Sequence, residues 1–259
     1  MKLNIEGRTA LVTGAGRGLG EGICQSLARE GARIIACSRT ESDLESLVTS
    51  LNPAQNHRYM ALDLAKSNGV SQLINFIQEN NLLPDIIVNN VGGNLGFTDP
   101  LGSVEEWQQV MSLNVEVAIG LNRAFIPKMQ ERKWGRICHV SSISALENQG
   151  PPAYCAAKAA LNAYVRSLGR YVSPDNVILT SVMPGAVFTK GGYWDIASQN
   201  RPEHVEKYLA ERMAIHRFGT IEEISEVVTF LCSDFSSFCV GSCLLVDGGQ
   251  GRVFYPSEF

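Results

Sequence analysis

The sequence lacks any long apolar run. No stretch approaches the roughly 18 consecutive apolar residues that a membrane-spanning helix needs, so no membrane partner is expected. Positive charge is also scarce, with 22 Lys and Arg against 26 Asp and Glu and a formal net charge of -4. Because a nucleic-acid-binding surface is usually basic, nucleic acid is not an expected partner. The first ten residues, MKLNIEGRTA, lack the apolar core of a signal peptide.

Histidine and cysteine are too sparsely placed for a metal site. The four histidines show no metal-ligand spacing and the seven cysteines form no C-x-x-C pair, so no metal is predicted. The cysteines are odd in number and several lie in apolar runs, which favours buried, reduced thiols over a disulfide framework. A cytoplasmic setting is therefore expected.

What the sequence does contain is a regular alternation of apolar β-branched runs with helical patterns. This alternation predicts a three-layer, doubly wound α/β fold, with a mostly seven-stranded parallel sheet between two layers of helices. No linker or repeat interrupts it, so the 259 residues are predicted to form a single domain spanning 1–259. The predicted strands are 9–13, 33–37, 59–62, 86–89, 135–140, 177–182 and 243–246.

A glycine-rich turn follows the first predicted strand. Residues 10–12 are apolar and run into a loop that contains Gly14, Gly18 and Gly20, after which a helical pattern begins. Glycines let the backbone approach phosphates, and free N–H groups at a helix start favour negative charge, so this turn is a candidate pyrophosphate site. The spacing G-x-G-x-x-G fails at Leu19, whereas Thr-Gly-x-x-x-Gly-x-Gly fits. The alternative is an ordinary glycine-rich turn.

The residues after the second predicted strand bear on the choice of dinucleotide. A protein that binds NAD is expected to place Asp or Glu there, about 20 residues past the glycines, to hold the ribose 2′-hydroxyl. This chain has Ser38 and Arg39 instead, and Arg17 lies in the glycine-rich turn. Guanidinium groups attract a 2′-phosphate and can bind it bidentately, so NADP(H) is favoured over NAD(H). The alternative is that both arginines are solvated surface charges.

Polar residues follow other predicted strands as well. Asp63 comes after the third strand, where it would either accept a hydrogen bond from an adenine amino group or cap the helical pattern that begins near Ser67. After the fourth strand, Asn90 can brace a sharp turn and Gly92 can admit a close ligand. Asn114 lies in a helical pattern, where Asn is disfavoured, although many such residues simply face water.

The fifth predicted strand ends in Ser141 and Ser142, and Tyr154 and Lys158 follow four residues apart. On a helix this pair shares one face, so the ammonium is expected to stabilise the phenolate and lower the phenol pKa from about 10. A phenol tuned in this way can serve as a general acid or base. The alternative is a surface Tyr stacked on a Lys stem.

Together, these motifs resemble the short-chain dehydrogenase/reductase family. They are Thr13-Gly14-x-x-x-Gly18-x-Gly20, Asp63, Asn89-Asn90-x-Gly92, Asn114, Ser142, Tyr154-x-x-x-Lys158 and Pro184-Gly185, and the likeness covers about residues 5–250. The resemblance implies a Rossmann-type fold and hydride transfer between a nicotinamide and a carbonyl or secondary alcohol.

The resemblance also implies roles for individual residues. Tyr154 would be the acid/base, and Lys158 would lower its pKa and hold the nicotinamide ribose. Ser142 would orient the substrate oxygen, and Asn114 would bind a water of a proton relay. The cofactor site would be lined by Gly14, Arg17, Gly18, Leu19, Gly20, Ser38, Arg39, Asp63, Leu64, Asn90, Val91, Gly92, Tyr154, Lys158, Pro184, Gly185, Val187 and Thr189.

Two departures from the family pattern stand out. Val91 replaces a smaller Ala and adds bulk close to the expected cofactor. The interval from Ser142 to Tyr154 is one residue shorter than the family's, so Ser141 is an alternative catalytic Ser. Ser142 is preferred because the second Ser of such a pair usually aligns with the catalytic one.

The segment 190–218 is the least family-like part of the chain and is predicted to be a lid over the site. Its polar and aromatic residues favour a polar, sugar- or polyol-like substrate, and the alternative is that they form a solvated helix face. These residues are Tyr193, Trp194, Arg201, His204 and Arg212.

Two other functions are kept open. One is a 3-oxoacyl-[acyl-carrier-protein] reductase, for which Lys128, Arg132, Lys133 and Arg136 would form a basic patch for the acidic carrier. The other is a non-catalytic NADP-binding regulator, which would not need the complete set of catalytic residues. The family resemblance further implies a homotetramer, with residues 252–255 apolar enough to pack on a neighbour.

Overall fold

The structure, a computed structural model, describes residues 2–252. Within that range the strands are β1 Thr9–Thr13, β2 Arg33–Ser38, β3 Arg58–Ala61, β4 Ile86–Asn89, β5 Gly135–Val140, β6 Val177–Pro184 and β7 Cys243–Val246. The helices are α1 Gly18–Arg29, α2 Glu41–Ser50, α3 Gly69–Glu79, α4 Val104–Met111, α5 Val117–Glu131, α6 Pro152–Val172, α7 Tyr193–Asn200, α8 Pro202–Arg212 and α9 Ile221–Leu231.

The described strands form one parallel sheet in the order β3-β2-β1-β4-β5-β6-β7. The chain runs outward from β1 to β3 and then returns to the other side of β1, so the strand order reverses between β1 and β4. At such a switch point the loops that leave the two strands diverge and open a crevice at the carboxyl edge of the sheet. The predicted parallel, doubly wound fold is confirmed.

Alternating side chains of the central strands build two apolar cores, one on each face of the sheet. Ala10 and Val12 of β1 pack beneath α1, α2 and α9, whereas Leu11 faces the layer of α3, α5 and α6. All three side chains are fully buried. Burial on both faces explains why the strands are continuous apolar runs rather than alternating polar and apolar residues.

Strand positions agree with the predictions to within two residues. The strand β3 begins and ends one residue early, because Ala61 is its last paired residue, although Leu62 N still donates to Ser38 O at 2.7 Å. The strand β6 continues to Pro184, whose missing N–H is tolerated at the end of a ladder.

The predicted lid segment contains α7 and α8. Only Val205 of α8 is buried, and His204, Arg201 and Arg212 are exposed, so much of the lid's charge belongs to a solvated face. Among residues 2–252, no helix is both long enough and apolar enough to cross a bilayer. The apolar residues 253–255 that were considered for packing on a neighbour lie outside the described residues.

Candidate active site

Two adjoining cavities occupy the carboxyl edge of the sheet. The larger, of about 850 Å³, lies over the ends of β1, β2 and β3, and the smaller, of about 300 Å³, lies over the ends of β5 and β6. Asn90 and Gly92 line both, so the two cavities form one continuous cleft. The cleft therefore crosses the switch point, where a dinucleotide would be expected to lie.

Most of the predicted cofactor residues line this cleft. The larger cavity is lined by Gly14, Arg17, Ser38, Arg39, Asp63, Leu64, Asn90, Val91 and Gly92. The smaller is lined by Leu19, Asn90, Gly92, Tyr154, Lys158, Pro184, Gly185, Val187 and Thr189. Gly18 and Gly20 do not line either cavity and instead form the first turn of α1.

The glycine-rich turn is shaped as a phosphate cradle. Gly14 has a φ of +66°, and a Cβ there would lie 2.9 Å from Asn90 Nδ2. The Asn90 amide donates to Thr13 O and Gly14 O at 2.9 and 3.1 Å, which holds the turn. No side chain caps the first turn of α1, so its amides are available to an anion. These features fit the pyrophosphate of a dinucleotide.

The end of β2 presents an unusual hydroxyl. Ser38 Oγ is buried and has no hydrogen-bond partner among residues 2–252, and an unpaired buried polar atom calls for a ligand group. Arg17 and Arg39 are exposed and line the same cavity, together with the carboxylate of Asp43. The two cations and the hydroxyl fit a ribose 2′-phosphate, whereas the negative charge of Asp43 would repel the phosphate.

The structure excludes one of the two interpretations of Asp63, that of a cap for the following helix. Helix α3 begins at Gly69 with Asn68 in the N-cap position, so Asp63 does not cap it. Its Oδ1 accepts a hydrogen bond from Ala65 N at 3.0 Å, and its side chain lines the larger cavity. A carboxylate held in this way is positioned to accept from a base or sugar.

A hydroxyl, a phenol and an amine meet in the smaller cavity. Tyr154 lies in the first turn of α6 and Lys158 one turn later, with Lys158 Nζ 5.5 Å from the centre of the Tyr154 ring. The Tyr154 hydroxyl is hydrogen-bonded to Ser142. The alternative residue, Ser141, is buried and its Oγ donates to Lys158 O at 3.4 Å. The phenol is therefore paired with Ser142.

The pKa of Tyr154 differs from the sequence expectation. Burial is the largest influence and raises the pKa above its usual value, the Ser142 hydrogen bond lowers it, and Cys155 raises it. Burial also lowers the pKa of Lys158 to about 8, and its Nζ donates to Val140 O at 2.9 Å. The expected net lowering of the phenol pKa was wrong for this state because desolvation disfavours the phenolate more than its neighbours stabilise it. The phenol is neutral at neutral pH.

Asn114 lies in a π-helical turn, Ser112–Glu116, between α4 and α5. It is buried, its Nδ2 donates to Gly93 O and Val110 O at 2.8 Å each, and its Oδ1 accepts from Gly93 N at 3.0 Å. It therefore does not face water, and it fixes the loop after β4. A Cβ on Gly92 would lie 2.6 Å from Asn114 Oδ1 and 3.0 Å from Lys158 Nζ, so the three residues converge.

Among the lid residues predicted to meet the substrate, Trp194 lines the smaller cavity, whereas Tyr193, Arg201, His204 and Arg212 are not part of its wall. The Trp194 ring packs on Tyr208 and Phe218, with ring centres 4.2 and 4.8 Å apart. Sequence reasoning did not identify Tyr208 or Gln250, which lie behind this ring. No local pattern marks them because their contacts join distant parts of the chain.

The basic patch considered for an acyl carrier lacks one of its four residues at the surface. Arg136 is 1% exposed and donates to Ser233 O and Asn176 O, so it belongs to the interior. Lys128, Arg132 and Lys133 are paired with Glu131, Asp85 and Asp175, respectively. These residues also lie at the N-terminal end of β5, on the opposite edge of the sheet from Ser142. The prediction was wrong for Arg136, because carbonyls of the interior enclose its guanidinium, whereas the other three residues are exposed cations with carboxylates nearby.

Within residues 2–252, no group of three or more His, Cys, Asp and Glu side chains is arranged to hold a metal ion. The cleft, its phosphate cradle and the Ser-Tyr-Lys cluster at one end define the class of protein: a nucleotide-binding α/β protein built to exchange protons with a bound substrate.

Comparisons with known proteins agree with this class. The family profile described as Enoyl-(Acyl carrier protein) reductase matches residues 14–250. The chain is 31% identical over 250 residues to a 3-oxoacyl-[acyl-carrier-protein] reductase FabG of Pseudomonas aeruginosa, covering 96% of this chain and 99% of that protein. L-Sorbose reductase from Gluconobacter frateurii, solved with NADPH and L-sorbose, has a TM-score of 0.89 at 30% identity, covering 99% of this chain and 100% of that chain.

A further solved structure, a 3-oxoacyl (acyl-carrier-protein) reductase from Agrobacterium tumefaciens with NADP bound, has a TM-score of 0.87 at 30% identity and covers 95% of each chain. The chain belongs to the short-chain dehydrogenase/reductase family. It is an oxidoreductase that acts on carbonyl or CH–OH groups.

Proposed function

We propose that the chain is an NADP(H)-dependent reductase of a ketone on a polar, sugar- or polyol-like substrate. The observation that carries the proposal is the cluster of Ser142, Tyr154 and Lys158 at the end of a cleft with a phosphate cradle. Bound NADPH would supply the hydride that reduces the substrate carbon.

In this proposal, Tyr154 gives its proton to the substrate carbonyl oxygen. Ser142 donates a hydrogen bond to the same oxygen and orients it. Because burial raises the pKa of Tyr154, the phenol carries its proton at neutral pH, which suits reduction better than alcohol oxidation. Lys158, at a ring-centre distance of 5.5 Å, favours the phenolate that forms when the proton leaves.

The remaining predicted residues hold the cofactor or the relay in this proposal. The turn from Gly14 to Gly20 takes the pyrophosphate, and Arg17, Ser38 and Arg39 take the 2′-phosphate. The solved neighbours with NADPH or NADP bound support this cofactor. Both amide protons of Asn114 are donated to backbone carbonyls, so its side chain has no proton left to donate to a relay water. In this proposal the loop after β4, which Asn114 holds in place, binds the relay water near Lys158.

A polar substrate is supported by two observations. The neighbour with a TM-score of 0.89 is an L-sorbose reductase solved with its sugar. The lid covers the cleft with an aromatic face, Trp194, and an indole ring packs well against the apolar C–H face of a sugar. The prediction that 190–218 acts as a lid is part of this proposal.

The second candidate is a 3-oxoacyl-[acyl-carrier-protein] reductase. It is favoured by the names of relatives such as the Pseudomonas aeruginosa protein. The burial of Arg136, and the position of the other basic residues on the far edge of the sheet, count against the carrier-binding patch that the sequence suggested. The third candidate is a regulator that binds NADP without turnover. Such a protein would not require the Ser-Tyr-Lys cluster, so the presence of the cluster counts against it.

The proposal is tested by the rate of NADPH consumption with L-sorbose, other ketoses and 3-oxoacyl thioesters, free and carrier-linked. Tyr154→Phe removes only the acid and is expected to lower kcat about 100-fold or more while the Kd for NADPH stays unchanged. Tyr171→Phe, on the same helix with an exposed ring, is the matched control. Preference for the carrier-linked thioester would favour the second candidate, and NADPH binding with no turnover of any substrate would favour the regulator.

Assembly as a homotetramer in a cytoplasmic setting completes the proposal. Apolar side chains in or near the edge strand β7 are exposed in the single chain, among them Phe238 at 99% and Leu244 at 41%. An edge strand flanked by apolar side chains is suited to contact with a second copy. Sedimentation equilibrium of the purified chain measures the number of subunits.

A further inference from the structure

A buried glutamine lies behind the lid, at the point where four segments of the chain meet. Gln250 follows β7 and is 3% exposed. Around it are the loop after β5, the residues after β6, the lid helix α8 and the segment 247–252 to which it belongs. A buried amide side chain is costly unless its donors and acceptor are satisfied, and here all of them are used.

The oxygen of Gln250 faces the wall of the smaller cavity. Its Oε1 accepts from Ala186 N at 2.7 Å. Ala186 directly follows Gly185, which lines the smaller cavity, and a Cβ on Gly185 would lie 2.6 Å from the same oxygen. The glutamine is therefore anchored on backbone at the wall of the candidate site.

The nitrogen of Gln250 faces the lid. Its Nε2 donates to the Tyr208 hydroxyl at 2.6 Å and to Gln149 Oε1 at 3.4 Å. Two rings of α8 pack on Trp194: Tyr208, with ring centres 4.2 Å apart, and His204, with ring centres 6.4 Å apart. A single side chain thus connects the wall at Ala186 to the aromatic ring that covers the substrate half of the cleft.

Two other contacts hold the same two parts together. Arg252 Nη2 donates to Glu211 O, near the C-terminal end of α8, at 2.9 Å. Ile215, after α8, donates its backbone N–H to Gly248 O at 3.3 Å. Both bonds lie at or beyond the C-terminal end of α8, however, and neither involves a ring that packs on Trp194. The contact through Tyr208 joins Gln250 directly to such a ring.

We propose that Gln250 is a positioning residue that holds α8, and with it Trp194, over the candidate active site. It touches neither substrate nor cofactor and acts through Tyr208 on the lid and through Ala186 on the wall. Its effect on substrate binding rests on the proposed function, whereas its effect on the order of the lid does not.

The test compares wild type, Gln250→Leu, Tyr208→Phe, the double variant of these two substitutions and a control, Gln199→Leu. Gln199 is an exposed lid glutamine whose amide donates to Asp195 within α7, so its loss leaves the Gln250 contacts in place. Two quantities are measured with NADPH present: amide hydrogen exchange of α7 and α8, with α2 as the reference, and the KM and kcat for L-sorbose.

For Gln250→Leu, we expect exchange in α8 to accelerate about tenfold while α2 is unchanged, because one hydrogen bond to the lid is lost. We expect KM for L-sorbose to rise about tenfold, with kcat changed less and the Kd for NADPH within about twofold. Tyr208→Phe should shift both quantities in the same direction, and the double variant should add little, because both single variants remove the same bond. Gln199→Leu should match wild type.

Unchanged exchange in α8 of Gln250→Leu would overturn the proposal, and so would equal acceleration in α8 and α2, which would indicate a general structural role. If wild type does not reduce L-sorbose, the proposed function fails for this substrate and the exchange measurement alone decides the role of Gln250. If Gln250→Leu does not fold, Tyr208→Phe decides, because it removes one oxygen atom from a half-buried ring.

Discussion

His139 makes the stability of this protein depend on pH in a way that can be measured. The side chain lies on β5, directly before the strand end that carries Ser142, and it is fully buried. Its Nδ1 donates to Thr180 O at 3.2 Å and its Nε2 accepts from the Asn122 amide at 3.1 Å. Burial lowers the pKa of His139 to about 4, the Thr180 bond acts against the shift, and the charge of Lys158 acts with it.

The sign and size of the effect follow from proton linkage. An unfolded His has a pKa of 6.5, and the folded-state pKa of His139 is lower, at about 4. Between these values the unfolded chain binds a proton that the folded chain does not, so stability is lost as pH falls through this window. Relative to neutral pH, the loss from this one residue is about 2 kcal/mol at pH 5 and about 3 kcal/mol at pH 4.

The assay is urea-induced unfolding at several pH values between 7 and 5, for wild type and His139→Asn. Asn does not titrate and keeps a donor near the position of Nδ1, so the variant loses a roughly constant free energy at all pH values. Other titrating groups are common to both proteins and cancel. We expect wild type to lose about 2 kcal/mol more than His139→Asn between pH 7 and pH 5. Parallel losses in the two proteins would refute the reasoning.

Two further predictions concern the cleft. Gly92→Ala places a methyl group 2.6 Å from Asn114 Oδ1 and 3.0 Å from Lys158 Nζ. Because three hydrogen bonds hold Asn114 in place, the site must distort to accommodate the methyl group. We expect kcat in the NADPH assay to fall about 100-fold, as for a displacement of about 1 Å. Gly219→Ala, whose nearest neighbour would be 3.5 Å away, is the control, and an unchanged kcat in Gly92→Ala would contradict the convergence of these groups. Arg39→Asp should raise the Kd for NADPH at least about tenfold and that for NADH much less, measured by fluorescence titration, because a carboxylate repels the 2′-phosphate. Equal losses for the two cofactors would remove the case for a 2′-phosphate contact at Arg39.

Local sequence determined the architecture of this chain. The strands β1, β4, β5 and β7 have the predicted bounds because each is a short apolar run that ends in glycine, asparagine or another polar residue, and such signals act over a few residues. The alternation of strands and helices then leaves few topologies, because crossovers are right-handed. The same rules bring the strand ends to one edge, which is why the predicted residues lie along a single cleft.

The chemistry inside the cleft was decided only by tertiary structure. Burial of Tyr154 sets the direction of its pKa shift, and neither its neighbours in sequence nor the spacing to Lys158 reports how much solvent is excluded. Ser142 and Ser141 are adjacent in the chain, and only the packing of α6 on β5 separates their partners.

Contacts between residues far apart in the chain also decided features that the sequence did not predict. The sequence predicted Arg136 to be a surface charge, but in the structure it is buried and donates to the carbonyl of Ser233, far away in the chain. The residues next to Gln250 in sequence contain no pattern that predicts its contact with Ala186. Short-range patterns encode the backbone's hydrogen bonding and the side-chain periodicity, so the sequence alone determined the layers, the approximate strand positions and the edge of the sheet at which the cleft lies. Desolvation and contacts between residues more than 40 positions apart, such as Gln250 with Tyr208, exist only after folding, so the structure alone decided the charge states and the attachment of α8.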